Sequence, residues 1–248
     1  MRESLTCGAS THVGLVRANN EDSYAVLDHE GGYPYALILA DGMGGHRRGE
    51  LASQIAVDYV RERLSEEFKM HVNANELSRQ LTDTVEKANV KVYLGSLSDE
   101  ENRGMGTTLT LAVFLPDQLL LAHVGDCRAY LLRGDDLRQL TVDHTLVQEL
   151  VNAGSLTPAE SLQHPRRNVL TRALGIPEYL QPDIMTIPLH EGDRVLLCSD
   201  GLHGSVAETA IHNCMKKEKT PVELAERLVA LALEAGGEDN ITVLAAYA

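Results

Sequence analysis

Short apolar runs that meet an acidic residue at one end recur along the chain. Runs of this length, bounded by turn residues, are typical of strands that are buried on both faces. The pattern therefore places carboxylates at the ends of four buried strands. The strands and their acids are residues 35–40 with Asp41, residues 119–124 with Asp126, residues 195–198 with Asp200, and residues 241–247 with Asp239.

Apolar residues spaced three and four positions apart predict helices between these strands. Two amphipathic helices are expected in the first half, at residues 49–68 and residues 77–92. Two more are expected near the C-terminus, because residues 205–208 and residues 220–223 both have the spacing of a capping box. The four longer helices therefore form two pairs along the chain.

Turn residues predict how the strands connect. Pro116-Asp117 and Gly125-Asp126 separate three strand-like runs, which predicts an antiparallel meander over residues 107–133. Residues 184–189 and 193–199 are predicted to pair with each other around a further turn. Since buried strands joined by hairpins need two covered faces, we predict an α+β fold with two stacked antiparallel sheets and helices outside each.

Composition and charge argue against a nucleic-acid-binding protein. The 248 residues carry a net charge of −14 and include only two Phe and no Trp, and no run of Lys or Arg stands out. A surface that follows nucleic-acid phosphates is therefore not expected. Acids that are clustered to hold cations would account for part of the negative charge.

The cysteines and the apolar content bear on location. The four cysteines show no CxxC spacing and are interpreted as reduced thiols. Nothing approaches the roughly 20 consecutive apolar residues that span a bilayer, and the N-terminus lacks signal-peptide features. We expect a cytoplasmic protein with no membrane partner, folded as one domain over residues 1–248. The cysteines are Cys7, Cys127, Cys198 and Cys214.

Asp41 is the first candidate for chemistry. The Asp41 carboxylate and the backbone carbonyls exposed by the turn that contains Gly42, Gly44 and Gly45 are oxygen ligands of the kind that magnesium, calcium or manganese prefers. The alternative is an ordinary Asp-Gly turn after a core strand. The recurrence of acids at the other strand ends favours the metal site.

Arg17 lies just ahead of two acids, Glu21 and Asp22. Its guanidinium is a planar fork that can hold a phosphate through two hydrogen bonds, with the acids ordering metal-bound water behind it. The alternative is a surface ion pair. A short helix is predicted at residues 146–153, and residues 155–182 after it are irregular and basic, so they could border an anionic substrate or move as a lid. A flap-like segment is therefore expected over about residues 145–182.

Eight motifs, taken in order, resemble those of the metal-dependent protein phosphatase family (PPM, type 2C) in its bacterial form. Any single motif is weak, but together they span essentially the whole chain. They are residues 17–22, 41–50, 104–108, 125–128, 143–144, 164–174, 199–202 and 237–240.

The resemblance implies a four-layer αββα sandwich and two Mn²⁺ or Mg²⁺ ions. Asp41 would bridge the ions, and the Gly42 carbonyl, Asp200 and Asp239 would complete the protein ligands. Asp126, with Asp200, matches the acids that hold a third, weaker metal ion. The alternative for Asp126 is that it only closes its turn. Glu21, Asp22 and Asn240 would lie behind the metal ligands.

The implied activity is hydrolysis of phosphoserine and phosphothreonine on proteins, by direct attack of a water that bridges the metals. The expected partners are phosphorylated proteins, such as the substrates of a Ser/Thr kinase, and the enzyme is expected to be a monomer. An alternative is a phosphatase dedicated to an anti-sigma antagonist or to one signalling protein. A non-catalytic binding module is disfavoured, because no acid of the ligand set is missing.

The chain also departs from the family pattern. Eukaryotic relatives have a histidine where Met43 stands, so the proton donor to the leaving oxygen is either a metal-bound water or His46. Bacterial relatives usually have Ser in place of Cys127. Three histidines, His46, His144 and His164, are candidates for the substrate rim, although His144 could instead pack locally before a helix capped by Asp143 or Thr145.

Overall fold

Eleven strands form two antiparallel sheets in the computed structural model, which describes residues 5–28, 34–44, 47–67 and 74–248. Sheet I has the spatial order β1 (Thr6–His12), β11 (Ile241–Tyr247), β10 (Arg194–Cys198), β7 (Arg128–Arg133) and β8 (Asp136–Gln139). Sheet II has the order β2 (Asp22–Leu27), β3 (Tyr35–Met43), β5 (Leu109–Phe114), β6 (Gln118–Val124) and β9 (Asp183–Pro188), and the short β4 (Gly106–Thr107) pairs with β3.

Two pairs of long helices cover the outer faces of the sheets. One pair packs on sheet II and the other on sheet I. Short helices occupy the connections. The long helices are α1 (Arg47–Glu67), α2 (Ala74–Leu97), α6 (Glu208–Lys217) and α7 (Pro221–Glu234), and the short ones are a 3₁₀ helix (Glu100–Asn102), α3 (Leu146–Asn152), α4 (Pro158–Ser161) and α5 (Asp200–His203).

Three apolar layers hold these elements together. One lies between sheet II and helices α1 and α2, one lies between the two sheets, and one lies between sheet I and helices α6 and α7. On α1 the buried row consists of Ala52, Ala56, Val60 and Leu64, and its small residues let the helix lie close to the sheet. The predicted α+β, four-layer αββα sandwich is confirmed.

The predicted strand pairing is wrong in two places. Strand β6 lies in sheet II and β7 lies in sheet I, so Gly125-Asp126 carries the chain from one sheet to the other and does not close a hairpin. Strands β9 and β10 likewise belong to different sheets. Strands β6, β7 and β10 are almost wholly buried, so their apolar patterns carry no information about which sheet each one joins.

Of the two predicted capping boxes, one is confirmed and the other is wrong. Helix α7 has the expected capping box, in which the Thr220 hydroxyl accepts from Glu223 N (3.2 Å) and the Glu223 carboxylate accepts from Thr220 N (3.1 Å). The box at residues 205–208 is wrong. Helix α6 starts after Ala207, because the Ser205 hydroxyl donates instead to the carbonyl of Gly201 in the preceding short helix (2.7 Å).

The segment 145–182 is partly structured and tied to the sheets. Thr145 caps α3 by accepting from Gln148 N (3.3 Å), which decides between the two capping residues considered above. Further along, Leu174 exchanges two backbone hydrogen bonds with Thr107 in β4 (3.1 and 2.8 Å). As for membranes, none of the helices in the described part of the chain has the length and apolar character needed to cross a bilayer.

Candidate metal centre

Asp41 lies at the end of β3, directly opposite Asp22 on the neighbouring β2. The backbone of Asp41 is held by two threonines. Its N–H donates to the Thr108 hydroxyl (2.8 Å), and its carbonyl accepts from Thr108 N (2.8 Å) and from the Thr107 hydroxyl (2.9 Å). Because the backbone groups already have partners, the Asp41 carboxylate is the group that is left to bind a ligand.

Asp200 approaches Asp41 from the other sheet. It follows β10 and begins the short helix α5, and it lies close enough to Asp41 for its negative charge to raise the pKa of the Asp41 carboxyl group. Helix α5 packs closely against the start of β11, and this contact requires glycine at position 201, since a Cβ there would lie 2.0 Å from the Asn240 carbonyl oxygen. The site is therefore formed where the ends of the two sheets meet.

Asn240 joins the last strand to the loop that carries Arg17. Its side-chain nitrogen donates to the carbonyls of Val13 (2.8 Å) and Asn19 (2.9 Å), and its side-chain oxygen accepts from Glu21 N (2.8 Å). These three bonds fix both ends of the loop between β1 and β2. Asn240 is thus a positioning residue for Arg17.

Arg17 is bound to Asp239 in this structure. Its Nη2 donates to Asp239 Oδ2 at 2.7 Å, and the two side chains are 50% and 32% exposed. The other oxygen of Asp239 accepts from Asn240 N at 2.9 Å. Arg17 and a predicted metal ligand therefore lie side by side at the open edge of the site.

Asp22 connects the two sheets beneath the site. Its Oδ2 accepts from the hydroxyls of Ser199 (2.9 Å) and Thr242 (2.6 Å), and its buried Oδ1 has no hydrogen-bond partner among the described residues. Ser199 and Thr242 were not singled out from the sequence. A hydroxyl residue between Ile241 and Val243, in an otherwise apolar strand, was the available signal for Thr242.

Gly42 brings the start of α1 against the turn that follows Asp41. A Cβ on Gly42 would lie 2.0 Å from the carbonyl oxygen of Gly49, so only glycine permits this contact. The Gly42 N–H donates to the Glu21 carbonyl (3.1 Å), while Oε1 of Glu21 is buried without a partner in the described part of the chain. Glu21 and Gly42 therefore lie next to each other in the site.

Three acids of the site, Asp41, Asp22 and Asp200, have raised pKa values. Burial, followed by the charges of Asp22 and Asp200, raises the pKa of Asp41 well above its usual value. Burial, opposed by the hydroxyls of Thr242 and Ser199, raises the pKa of Asp22 to about 7. Burial and the charge of Asp239 raise the pKa of Asp200 to about 6. The cause is a concentration of negative charge in a poorly solvated place.

Asp126 lies in the crossing between β6 and β7, and this crossing brings it to the same region. It is buried, and burial together with the charge of Asp200 raises its pKa to about 8. Its backbone carbonyl accepts from Nε2 of His203 (3.0 Å). The crossing also explains why Asp126 lies near Asp200 in space although the two residues are far apart in sequence.

The three histidines proposed for the rim have different positions. His144 is buried beside Gly125, with Nδ1 accepting from Gly125 N (3.1 Å) and Nε2 bonded to Asp183 (3.1 Å). His164 is partly exposed, and its Nδ1 accepts from Arg166 N (3.1 Å). His46 and Gly45 lie outside the described residues. A rim function for these histidines stays a prediction.

The residues of the site fit hard divalent cations, although their side chains are not yet arranged as a complete set of metal ligands. Within the described ranges, no three His, Cys, Asp or Glu side chains already surround one point, and Asp239 is bound to Arg17. Two buried carboxylate oxygens, on Glu21 and Asp22, have no hydrogen-bond partner among the residues that the structure describes. Carboxylates that raise one another's pKa are stabilised by cations, and magnesium commonly keeps several waters as ligands.

Comparison with known proteins agrees with this description. A model of the family "Protein phosphatase 2C" matches residues 14–235. The serine/threonine phosphatase stp of Listeria monocytogenes is 41% identical over 234 residues, which cover 94% of this chain and 92% of that protein. The crystal structure of the Mycobacterium tuberculosis serine/threonine phosphatase PstP/Ppp is 39% identical, with a TM-score of 0.88 and coverage of 98% of both chains.

A second structure bears on the metal. The catalytic domain of the phosphatase PstP in complex with two manganese ions is 38% identical, has a TM-score of 0.84, and is matched over 98% of this chain and 97% of that one. The family match covers most of the chain, and the similarity in fold extends over nearly all of it. This chain belongs to the protein phosphatase 2C family.

Proposed function

We propose that this protein is a metal-dependent serine/threonine phosphatase that hydrolyses phosphoserine and phosphothreonine on proteins. The observation that carries the proposal is the meeting of Asp41 and Asp200, from different sheets, beside an arginine that is bound to Asp239. A paired carboxylate site next to a guanidinium fork suits a reaction on a phosphate monoester. The named relatives are serine/threonine phosphatases, which supports the same activity.

The metal ligands follow from this placement. Asp41, Asp200, Asp239 and the Gly42 carbonyl would hold two Mn²⁺ or Mg²⁺ ions, and Asp126 would help to hold a third, weaker one. When bound, such ions lower the pKa of water and stabilise negative charge on the phosphoryl group. Asp22 and Glu21 contribute further negative charge behind them, and the hydroxyls of the Asp22 network keep that charge in place.

Arg17 would hold the phosphate. Its present partner, Asp239, is a proposed metal ligand, so a cation at Asp239 would compete with Arg17 for the carboxylate and release the guanidinium. The released fork can donate two parallel hydrogen bonds to phosphate oxygens, which a lysine cannot do. The Asn240 contacts keep Arg17 at the site during this exchange of partners.

The partners would be phosphorylated proteins, including the substrates of a Ser/Thr kinase, and the enzyme would act as a monomer. The cytoplasm is the proposed location, supported by the four cysteines, all of which are free thiols. In a peptide, the leaving group is the serine or threonine hydroxyl. Met43 cannot supply a proton to it, which leaves the proton donor to water or to His46.

The test is hydrolysis of a phosphothreonine peptide in the presence of manganese or of EDTA, with the matching phosphotyrosine peptide as control. We expect phosphate release from the phosphothreonine peptide only with manganese. Full activity after exhaustive chelation would contradict metal dependence. A preference for the phosphotyrosine peptide would contradict the proposed substrate class.

A further inference from the structure

A large open groove lies along the start of α1. Its volume is about 1080 Å³, and most of the residues that line it have polar side chains. Helix α1 forms the floor, the loop between β1 and β2 forms one wall, and the 3₁₀ helix forms the other. The residues that line it are Asn19, Arg48, Glu50, Leu51, Gln54, Glu101 and Asn102.

Two edges of the groove lie next to the metal centre. Asn19 is two residues beyond Arg17, and its carbonyl accepts from Asn240 (2.9 Å), the residue that fixes the Arg17 loop. On the floor, Glu50 follows Gly49, whose backbone touches Gly42. A polypeptide whose phosphorylated residue binds at Arg17 would therefore have this groove immediately beside it.

The size of the groove fits a length of polypeptide better than a single side chain. Pockets of about 300–1,000 Å³ hold ligands of drug size, and an extended chain advances about 3.3 Å per residue. A segment of a few residues flanking the phosphorylated residue would fill this volume. The polar lining offers amide and carboxylate groups for its backbone and side chains.

The charge of the lining is negative. Glu50 and Glu101 are both exposed, whereas Arg48, the one basic residue among the described side chains of the lining, is only partly exposed. In the described part of the chain, neither glutamate is bound in an ion pair with a Lys or Arg. Asp99 and Glu100 continue the acidic wall, although Asp99 already accepts from Glu101 N (3.0 Å).

We propose that this groove binds the polypeptide segment flanking the phosphorylated residue and selects substrates with a lysine or arginine in that segment. The proposal rests on the phosphatase activity proposed above. The basic side chain would lie between Glu50 and Glu101, while the backbone follows α1 away from the site. Glu101 is a specificity-determining residue in this account and takes no part in the reaction at phosphorus.

The test uses phosphothreonine peptides that are identical except for Lys, Ala or Glu at each flanking position in turn, assayed with manganese. We expect kcat/KM to be about two- to fivefold higher with Lys than with Ala at one or two positions, as for an exposed charge pair. Glu101→Lys should abolish or reverse this preference, and Glu101→Gln should weaken it. Hydrolysis of p-nitrophenyl phosphate, which has no flanking residues, should stay the same in both variants.

The control variant is Glu226→Lys, which makes the same charge change at an exposed position of α7. It should keep the preference for Lys. Equal kcat/KM for all peptides in the wild type, or a preference that survives Glu101→Lys or is lost equally in Glu226→Lys, would overturn the groove proposal while leaving the phosphatase activity established. Absence of manganese-dependent hydrolysis of every peptide and of p-nitrophenyl phosphate would instead overturn the proposed function.

Discussion

The pair Arg17–Asp239 is short but exposed, with the two side chains 50% and 32% accessible. Exposed ion pairs contribute only about 0.2–1 kcal/mol to stability. Breaking this ion pair, so that Arg17 can bind phosphate and Asp239 a metal ion, should therefore cost little free energy. At the scale of single residues, the weak contact between Arg17 and Asp239 occupies two side chains that would bind phosphate and a metal ion more strongly.

Arg17→Ala should lower kcat/KM for a phosphothreonine peptide roughly ten- to 150-fold, the value of a hydrogen bond to a charged group. Manganese affinity should stay the same or rise, since Asp239 loses a competing partner. Arg17→Lys should restore little activity, because a point charge cannot supply the fork. Steady-state kinetics beside a manganese titration checks both parts. Normal kinetics in the alanine variant would make Arg17 an ordinary surface residue.

Asp126 should be separable from the paired ions. Asp126→Ala removes a buried carboxylate whose pKa is raised by burial and Asp200, so the variant should fold normally and still bind two manganese ions tightly. Its turnover should be much slower if Asp126 holds a third ion. Calorimetry beside kinetics tests this. Wild-type turnover at limiting manganese would reject the catalytic role, and loss of both tight ions would reject the separation.

At the scale of elements, the crossing between β6 and β7 shows what the sequence could predict. The four acids were found because each lies where an apolar run ends. The sheet that each strand joins was not found, because strands buried on both faces look alike in sequence. The sequence also did not predict the hydrogen bonds of Asp22, because the partner hydroxyls of Ser199 and Thr242 are 177 and 220 residues away along the chain.

His144 holds this crossing in place. Its backbone N–H donates to Gly125 O (2.7 Å) and its Nδ1 accepts from Gly125 N (3.1 Å). His144→Ala leaves a buried N–H without its acceptor, which should cost about 1–3 kcal/mol and lower the Tm. His164→Ala is the matched control, because His164 is more exposed and bonds only within its own loop. Equal melting temperatures for the two variants would show that the Gly125 contact is dispensable.

At the scale of the whole molecule, Arg133 joins the two sheets at the end of β7 that is distant from Asp126. Arg133 donates to both oxygens of Asp193 (2.9 and 2.8 Å) and to the Pro188 carbonyl at the end of β9 (2.7 Å). Asp193 is only 1% exposed and also accepts from His190 N. A buried carboxylate with this many donors stabilises the charged form.

Asp193 should therefore contribute to acid sensitivity. Burial raises its pKa, but the hydrogen bonds from Arg133 and His190 outweigh this and hold the pKa below the ordinary 3.8. Its stabilisation is thus present above the unfolded-state pKa and is lost as pH falls through the lower folded-state pKa. Asp193→Asn should cost about 2–4 kcal/mol at neutral pH. Urea denaturation should show the difference from wild type shrinking at low pH, whereas a constant difference would contradict this assignment.

Asp41 is proposed to bridge the two metal ions that the reaction requires. The most direct measurement is a manganese titration of wild type and Asp41→Asn, in which heat of binding and phosphothreonine-peptide turnover are recorded on the same samples. We predict two tight sites in the wild type, and in the variant a parallel loss of manganese affinity and turnover, because one shared ligand charge has been removed. Unchanged manganese binding, or full turnover, in Asp41→Asn would contradict the bridging role of Asp41.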